Sequence, residues 1–451
     1  MEHTGSVGTF TDENGVLYRV DRSLGAGGQG EVFLVQGGHR IVKRITRGGD
    51  REALRRQLAF VKRLDLSGLH VARPIALLRP PHTGYVAEFL SDMVPIRLLL
   101  KPPSGTAMVP WYCADGGLRR RLRLLAHAGE ALAGLHARGL VYGDVSHNNI
   151  FISAQAEAHE AWLIDLDNLC THSEPGRAVF TPYYGAPEIV TGRSGATSLS
   201  DAWAFAVLAF NALTLLHPLC GDLVRDGEPE LEEQALTGQV PWVDHTTDSR
   251  NRASDGLPRE LVLGSKLQDL ACRTFEHSVA KPLARPGVEA WVERLHLAAD
   301  QTVRCTSCAG TFLVSAAACP FCAVPRPTPI LVRLQRWEPG RGVVAEMGVC
   351  AQLPLLEETL TLTRRHCHAE IGVNARRPVI ALERRPRGVQ VRALDGPCWV
   401  TPPGKSAPDD ALEVGSRGRI IPVGETADSW AVHFQPISTA HRVALISGGR
   451  P

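Results

Sequence analysis

At 451 residues the chain is too long for a single core, so two to four domains are expected, and its 44% hydrophobic and 21% charged residues are ordinary for a soluble globular protein. Forty-nine basic against 47 acidic residues leave a net charge of +2, which makes no general electrostatic case for nucleic acid or an anionic membrane. The start, Met1-Glu2-His3-Thr4-Gly5, has neither a basic nor an apolar leader region, and the longest apolar run, Leu199–Leu216, is broken by Asp201 and Asn211. That run reads as a buried core helix and not a membrane span. Eleven cysteines, four of them in metal-ligand spacing, fit a reducing cytoplasm better than a disulfide framework.

After an N-terminal lead (1–15), residues 16–90 read as a strand-rich unit with one helix. Val16–Val20 leads into Gly25-Ala26-Gly27-Gly28-Gln29-Gly30, and Glu31–Val35, which includes Val32, follows. After a Gln36–His39 turn, Arg40–Ile45 returns and carries Lys43. Apolar residues at Leu54, Leu58, Val61 and Leu64 mark an amphipathic helix whose first turn holds Glu52. His70–Leu78 and Gly84–Leu90 read as further strands, the second ending at Glu88–Leu90. Residues 91–300 read as mainly helical: a loop-rich stretch to Gly117, a long helix over Leu118–Arg138, then helices over Leu199–Leu216, Leu261–Phe275 and Gly287–Ala299. A four-cysteine segment (301–324), a proline linker and an alternating β-rich segment (330–446) complete the chain.

Three stretches carry chemistry. The first is Tyr142–Asp167, where Asp144 precedes Asn149 by five residues and a short strand, a turn and a second strand end in Asp165. A hairpin there would bring two carboxylates and an amide oxygen to one edge, as transfer of a phosphoryl group from ATP needs: one carboxylate for the proton of the attacking hydroxyl, the other two groups for metal ions. The second is the glycine loop, which lets backbone approach phosphates and lies between strands, so it disfavours a dinucleotide fold. Glu52 could pair with Lys43 beside it, or be a first-turn acid favoured by the helix dipole. The third is Cys305-x-x-Cys308 followed by Cys319-x-x-Cys322, four thiolates in two tight turns as structural zinc needs, or else four buried cysteines. Little positive charge surrounds them, so partner docking is favoured over nucleic acid. His366 and His368 would share a face if Thr363–His368 were a strand.

Taken together, Gly25–Val32, Lys43, Glu52, Asp144–Asn149, Asp165, Ala186-Pro187-Glu188, Asp201 and Arg285 stand in the order of the protein-kinase signature set, and Val16–Ala299 resembles that family. The resemblance implies an α+β, two-lobed fold (lobes 16–90 and 91–300) with Mg-ATP in the cleft, here followed by a zinc ribbon and an all-β domain. It implies that Gly25, Gly27, Gly28, Gly30 and Val32 cover the phosphates, that Lys43 contacts them and is braced by Glu52, and that Glu88–Leu90 forms the adenine hinge. Asp144 would be the catalytic aspartate, Asn149 and Asp165 would hold Mg²⁺, Glu188 and Arg285 would pair, and Asp201 would anchor the catalytic loop.

Departures keep alternatives open. Tyr142-Gly143-Asp144 replaces His-Arg-Asp, Ser146 replaces a lysine, and Asp165-Leu166-Asp167 replaces Asp-Phe-Gly. Ile41 and Ala87 imply a reshaped adenine pocket. The implied activity is phosphorylation of Ser or Thr on protein substrates, the chain itself included, with Thr171, Ser173 and Thr181 as candidate sites. Gly143-Asp144 with Ile164-Asp165-Leu166-Asp167 also resembles small-molecule kinases of the aminoglycoside or choline type, and a pseudokinase scaffold is a third reading. The β domain is reminiscent of a forkhead-associated module through Thr363–His366, without phosphothreonine binding being carried over. The whole layout resembles bacterial eukaryotic-like kinases, which are often associated with a metal-dependent phosphatase and a von Willebrand-type protein.

Overall fold

The computed structural model describes residues 8–27, 30–46, 50–172, 179–328, 330–344, 352–355, 359–370, 372–423 and 428–448. Six strands form the sheet of the first lobe: β1 (Thr9–Thr11), β2 (Leu17–Ala26), β3 (Gly30–Val35), β4 (Arg40–Ile45), β5 (Ala76–Leu77) and β6 (Gly84–Glu88). Their order is β1-β2-β3-β4-β6-β5, all antiparallel. Alternation sorts the side chains: Val20, Val35, Val42 and Val86 pack on one face, while Tyr85, Ala87 and Leu77 pack on the other against Leu58 of helix α1 (Arg51–Arg63). The Asp50 side chain caps α1 by accepting the Glu52 and Ala53 N–H groups at 2.9 and 3.0 Å. Gly30 is required by packing, because a Cβ there would lie 2.1 Å from the Arg44 carbonyl oxygen on β4. The strand expected over His70–Leu78 shrinks to Ala76–Leu77.

The second lobe is built on three helices, Gly117–His136, Ser198–Thr214 and Val288–Asp300, which share one hydrophobic core. Ser198–Thr214 is buried on nearly every side and starts from a reciprocal cap between Thr197 and Ser200. Trp203, Phe205 and Phe210 on it are at most 1% exposed, and burying a large side chain contributes roughly 1.5–3 kcal/mol. Among the described residues no helix is long and apolar enough to cross a membrane. The stretch read as loop before Gly117 contains a short strand, Met93–Pro95, and a helix, Met108–Ala114.

Thr302–Arg304 and Thr311–Leu313 form a hairpin whose turn carries Cys305 and Cys308, and it packs on the second lobe. Arg119 at the start of the long helix donates to the Thr302 hydroxyl and carbonyl, both at 2.7 Å. The C-terminal segment is a β-sandwich. Ile330–Glu338 and His441–Gly448 pair at the centre of one sheet, and Thr359–Thr363, Pro378–Arg385, Gly388–Ala393 and Arg419–Ile421 make the other. Between them lie Val332, Leu334, Ala444 and Ile446 with Leu362, Ile380, Leu382 and Val391.

Arg364–His368 is a helical turn and not a strand, because the His366 ring folds back to accept the Thr363 N–H at 3.0 Å. His366 and His368 therefore do not share a strand face. That turn docks the sandwich onto the second lobe: Arg365 and His366 both reach Asp300, at 2.6 and 3.3 Å. Arg376 reaches Glu130 at 2.5 Å, and the His296 ring meets the same carboxylate at 2.8 Å.

Candidate active site

The strands Ile150–Ser153 and Ala161–Leu163 form the expected hairpin, with Leu163 opposite Ile150. The Ile164 N–H donates to the Asn149 carbonyl at 3.0 Å, which sets Asn149 and Asp165 side by side at its open end. Tyr142, fully buried, donates its hydroxyl to the Ile164 carbonyl and so ties the preceding loop to the hairpin. Asp165 is held at φ 60°, a left-handed conformation that costs a non-glycine residue energy and that the surrounding contacts must enforce.

Asp144 sits on a loop suspended from the core. Asp201, 3% exposed on the central helix, accepts the Tyr142 and Gly143 N–H groups at 2.7 and 2.9 Å and contacts the His136 ring at 3.0 Å. The Asp144 carboxylate then accepts the Thr181 hydroxyl at 2.8 Å and the Asn149 amide at 2.9 Å. Burial pushes the Asp144 carboxyl up and nearby Asp165 adds to this, while the two hydrogen bonds pull it down; the net direction is upward. Both side-chain amide donations from Asn149 go to Asp144, so the Asn149 side-chain oxygen Oδ1 is the end left for a cation.

Lys43 projects from β4 to the hairpin. Its ammonium bonds Asp165 and lies 2.7 Å from Asp167 Oδ2, with the Tyr85 ring centre 5.8 Å away. Burial opposes the charge on Lys43, but the two carboxylates outweigh it and raise its pKa. Asp165 and Asp167 thus share the Lys43 ammonium, and Asp144 lies close enough to Asp165 for their charges to interact. The Asp144 and Asp165 carboxylates with the Asn149 side-chain oxygen are hard oxygen donors that fit a divalent cation such as Mg²⁺.

One expected contact is not made. The Glu52 side chain is 70% exposed, with Arg56 at 4.0 Å its near charge, and it does not brace Lys43. Helix phase is the reason: Glu52 lies about 120° around α1 from Leu58, which faces the sheet. Gln57 instead donates to the Leu169 carbonyl, just beyond the hairpin. Sequence reasoning missed Asp167 as the partner of Lys43; the available signal was an acid where glycine is usual.

The remaining predicted residues fall around this centre. Gly25 pairs with Val32 across β2 and β3, and Gly27 and Gly30 exchange N–H···O bonds at 2.8 and 3.3 Å. Unlike Gly30, Gly25 and Gly27 have open space where a Cβ would be. Gly28 lies outside the described residues, as does Ser173. Glu88 ends β6 opposite Arg40, and Leu90 follows it. Glu188 takes two bonds from Arg285, at 2.7 and 3.0 Å, with the guanidinium 4.9 Å from the Trp203 ring centre. Separately, the sulfur atoms of Cys305, Cys308, Cys319 and Cys322 lie within 4.8 Å of one another, the nearest pairs at 3.5 and 3.6 Å. Tetrahedral zinc with bonds near 2.3 Å sets sulfurs about 3.8 Å apart, so the cluster fits that ion.

Residues 118–291, within the second lobe that carries the suspended aspartate and the hairpin, match the protein kinase domain family. The chain is 28% identical over 279 residues to the serine/threonine-protein kinase pkn2 of Myxococcus xanthus, covering 58% of this chain and 30% of that protein. It is 26% identical over 339 residues to protein kinase YegI of Escherichia coli (strain K12), covering 71% and 50% respectively. A match at 24% to serine/threonine-protein kinase PknA of Mycobacterium tuberculosis covers 46% of this chain and 48% of that one. The chain thus spans between about a third and half of the length of these curated relatives.

Proposed function

We propose that the chain is a Mg-ATP-dependent kinase that transfers the γ-phosphate to Ser or Thr hydroxyls of protein substrates, itself among them. The observation that carries this reading is the Asp144 carboxylate, 2.8 Å from a threonine hydroxyl and close enough to Asp165 for the two charges to interact. A hydroxyl donating to Asp144 is oriented for attack, and the ionised carboxylate takes its proton as the bond to the γ-phosphorus forms and the bond to the bridging oxygen breaks, releasing ADP. Lys43 binds phosphate oxygens under the loop of Gly25, Gly27, Gly28, Gly30 and Val32, and Glu88–Leu90 take the adenine edge. Mg²⁺, held by Asn149 and Asp165, supplies positive charge to the phosphates when bound.

The Glu188–Arg285 pair supports a protein substrate, because it braces the segment around Thr181–Pro187 where a peptide would lie. Ile164-Asp165-Leu166-Asp167 favours the second reading, a small-molecule kinase. Cys305, Cys308, Cys319 and Cys322 would hold structural Zn²⁺, and the β-sandwich would recruit partners, such as a cognate phosphatase or a von Willebrand-type protein, in the cytoplasm. Incubation with labelled ATP, alone and with a generic protein substrate, tests this. Label on protein, lost in Asp144→Ala, supports the proposal; label only on small metabolites overturns it.

A further inference from the structure

We propose that Asp167 is the anchor of the phosphate-binding lysine, a positioning residue doing what a helix carboxylate does in protein kinases generally. This rests on the kinase reading above. Asp167 Oδ2 lies 2.7 Å from the Lys43 ammonium, and the two side chains are 6% and 9% exposed. Helix α1 cannot supply the acid. Glu52 is its only carboxylate, and it points to solvent beside Arg56. Turning Glu52 inward would need a rotation that takes Leu58 and Val61 out of the core. Gln57, the polar side chain on the inner side of α1, is spent on the Leu169 carbonyl.

Asp165 also touches Lys43. The two carboxylates then divide their work: Asp165 turns to the cation, and Asp167 keeps the ammonium in place. The lysine is thereby tied to the hairpin of the second lobe, two residues from the metal ligand. Its position does not depend on where α1 stands.

The test is a double-mutant cycle on the full chain, read by thermal melting without nucleotide or Mg²⁺. The variants are Asp167→Asn, Lys43→Met and the pair together. If Asp167 anchors Lys43, Asp167→Asn lowers the melting temperature in the natural background. In the Lys43→Met background the same change raises it, because a buried carboxylate without its cation is only a cost. Effects of the same sign in both backgrounds would overturn the anchor. In the transfer assay, Asp167→Asn is expected to lower kcat about tenfold or more, with Glu52→Gln within about twofold of the natural chain. Equal losses from both, or a loss in Asp167→Asn that extra Mg²⁺ restores, also overturn it; the latter would make Asp167 a metal ligand. The melting cycle needs no substrate. A natural chain that transfers no phosphate therefore removes the kinase reading, while additive melting effects remove only the anchor.

Discussion

The Asp201 carboxylate accepts the Tyr142 backbone N–H at 2.7 Å across 59 residues of sequence, and this bond suspends the loop that carries Asp144 from the central helix. Asp201→Asn keeps the shape but turns a donor toward one of the two loop N–H groups. A buried polar group left unsatisfied costs about 1–3 kcal/mol. The variant should melt lower and transfer phosphate at least about tenfold more slowly, as thermal melting and a labelled-ATP assay would read. Natural values in both would mean the loop is held by other contacts.

Docking of the β-sandwich rests on two buried carboxylates. Asp300 is bound by Arg365 and His366, and Glu130 by His296 and Arg376. Removing one partner of a buried ion pair costs about 3–5 kcal/mol. Asp300→Ala should therefore release the sandwich, splitting one calorimetric transition into two and exposing the 325–328 linker to protease. A single transition at the natural temperature would count against a docked interface.

Acid should loosen the same interface. Burial pushes Glu130 up, but His296 and Arg376 together hold it down at about 2, below the usual carboxylate value of about 4.3. A depressed carboxylate contributes stability that is present above the unfolded value and lost as pH falls toward the folded one. Burial also keeps His127 and His433 neutral down to about 3, so the unfolded chain binds more protons than the folded one from about pH 6.5 downward. Melting temperature should fall steadily from about pH 6.5 to 4, steepening below about pH 5 as Glu130 joins. A flat profile over that range would contradict these burial assignments.

Zinc removal should be felt in the second lobe. The cysteine segment packs Phe321 against Tyr112, ring centres 6.2 Å apart, and Gly310 lies against the Cys113 sulfur. Cys305→Ser should lose one zinc per chain by elemental analysis and lower the melting temperature of the second lobe. Unchanged metal content would refute the site.

Local features of the site were legible in the sequence, and features set by distant partners were not. The Asp144–Asn149–Asp165 constellation spans one loop and one hairpin, so spacing alone placed it. The two cysteine turns are equally local. Glu52 was misplaced because an acid at about the right distance after Lys43 says nothing of helix phase, and the buried face of α1 is fixed by Leu58 and Val61. In the sequence, whether His366 and His368 share a face is conditional on a strand, because five residues cannot separate a period of 2 from one of 3.6, and the His366 cap on Thr363 decides for a helical turn. The docking pairs join residues 65 and 246 apart, and no local pattern announces them.

The most direct measurement is phosphosite mapping by mass spectrometry after incubation with Mg-ATP, for the natural chain and for Asp144→Asn. Phosphate on Ser or Thr in the natural chain, with a loss of at least about a hundredfold in the variant, is the predicted result. Full labelling in Asp144→Asn, with the natural dependence on Mg²⁺, would contradict the assignment of Asp144 and of the site built around it.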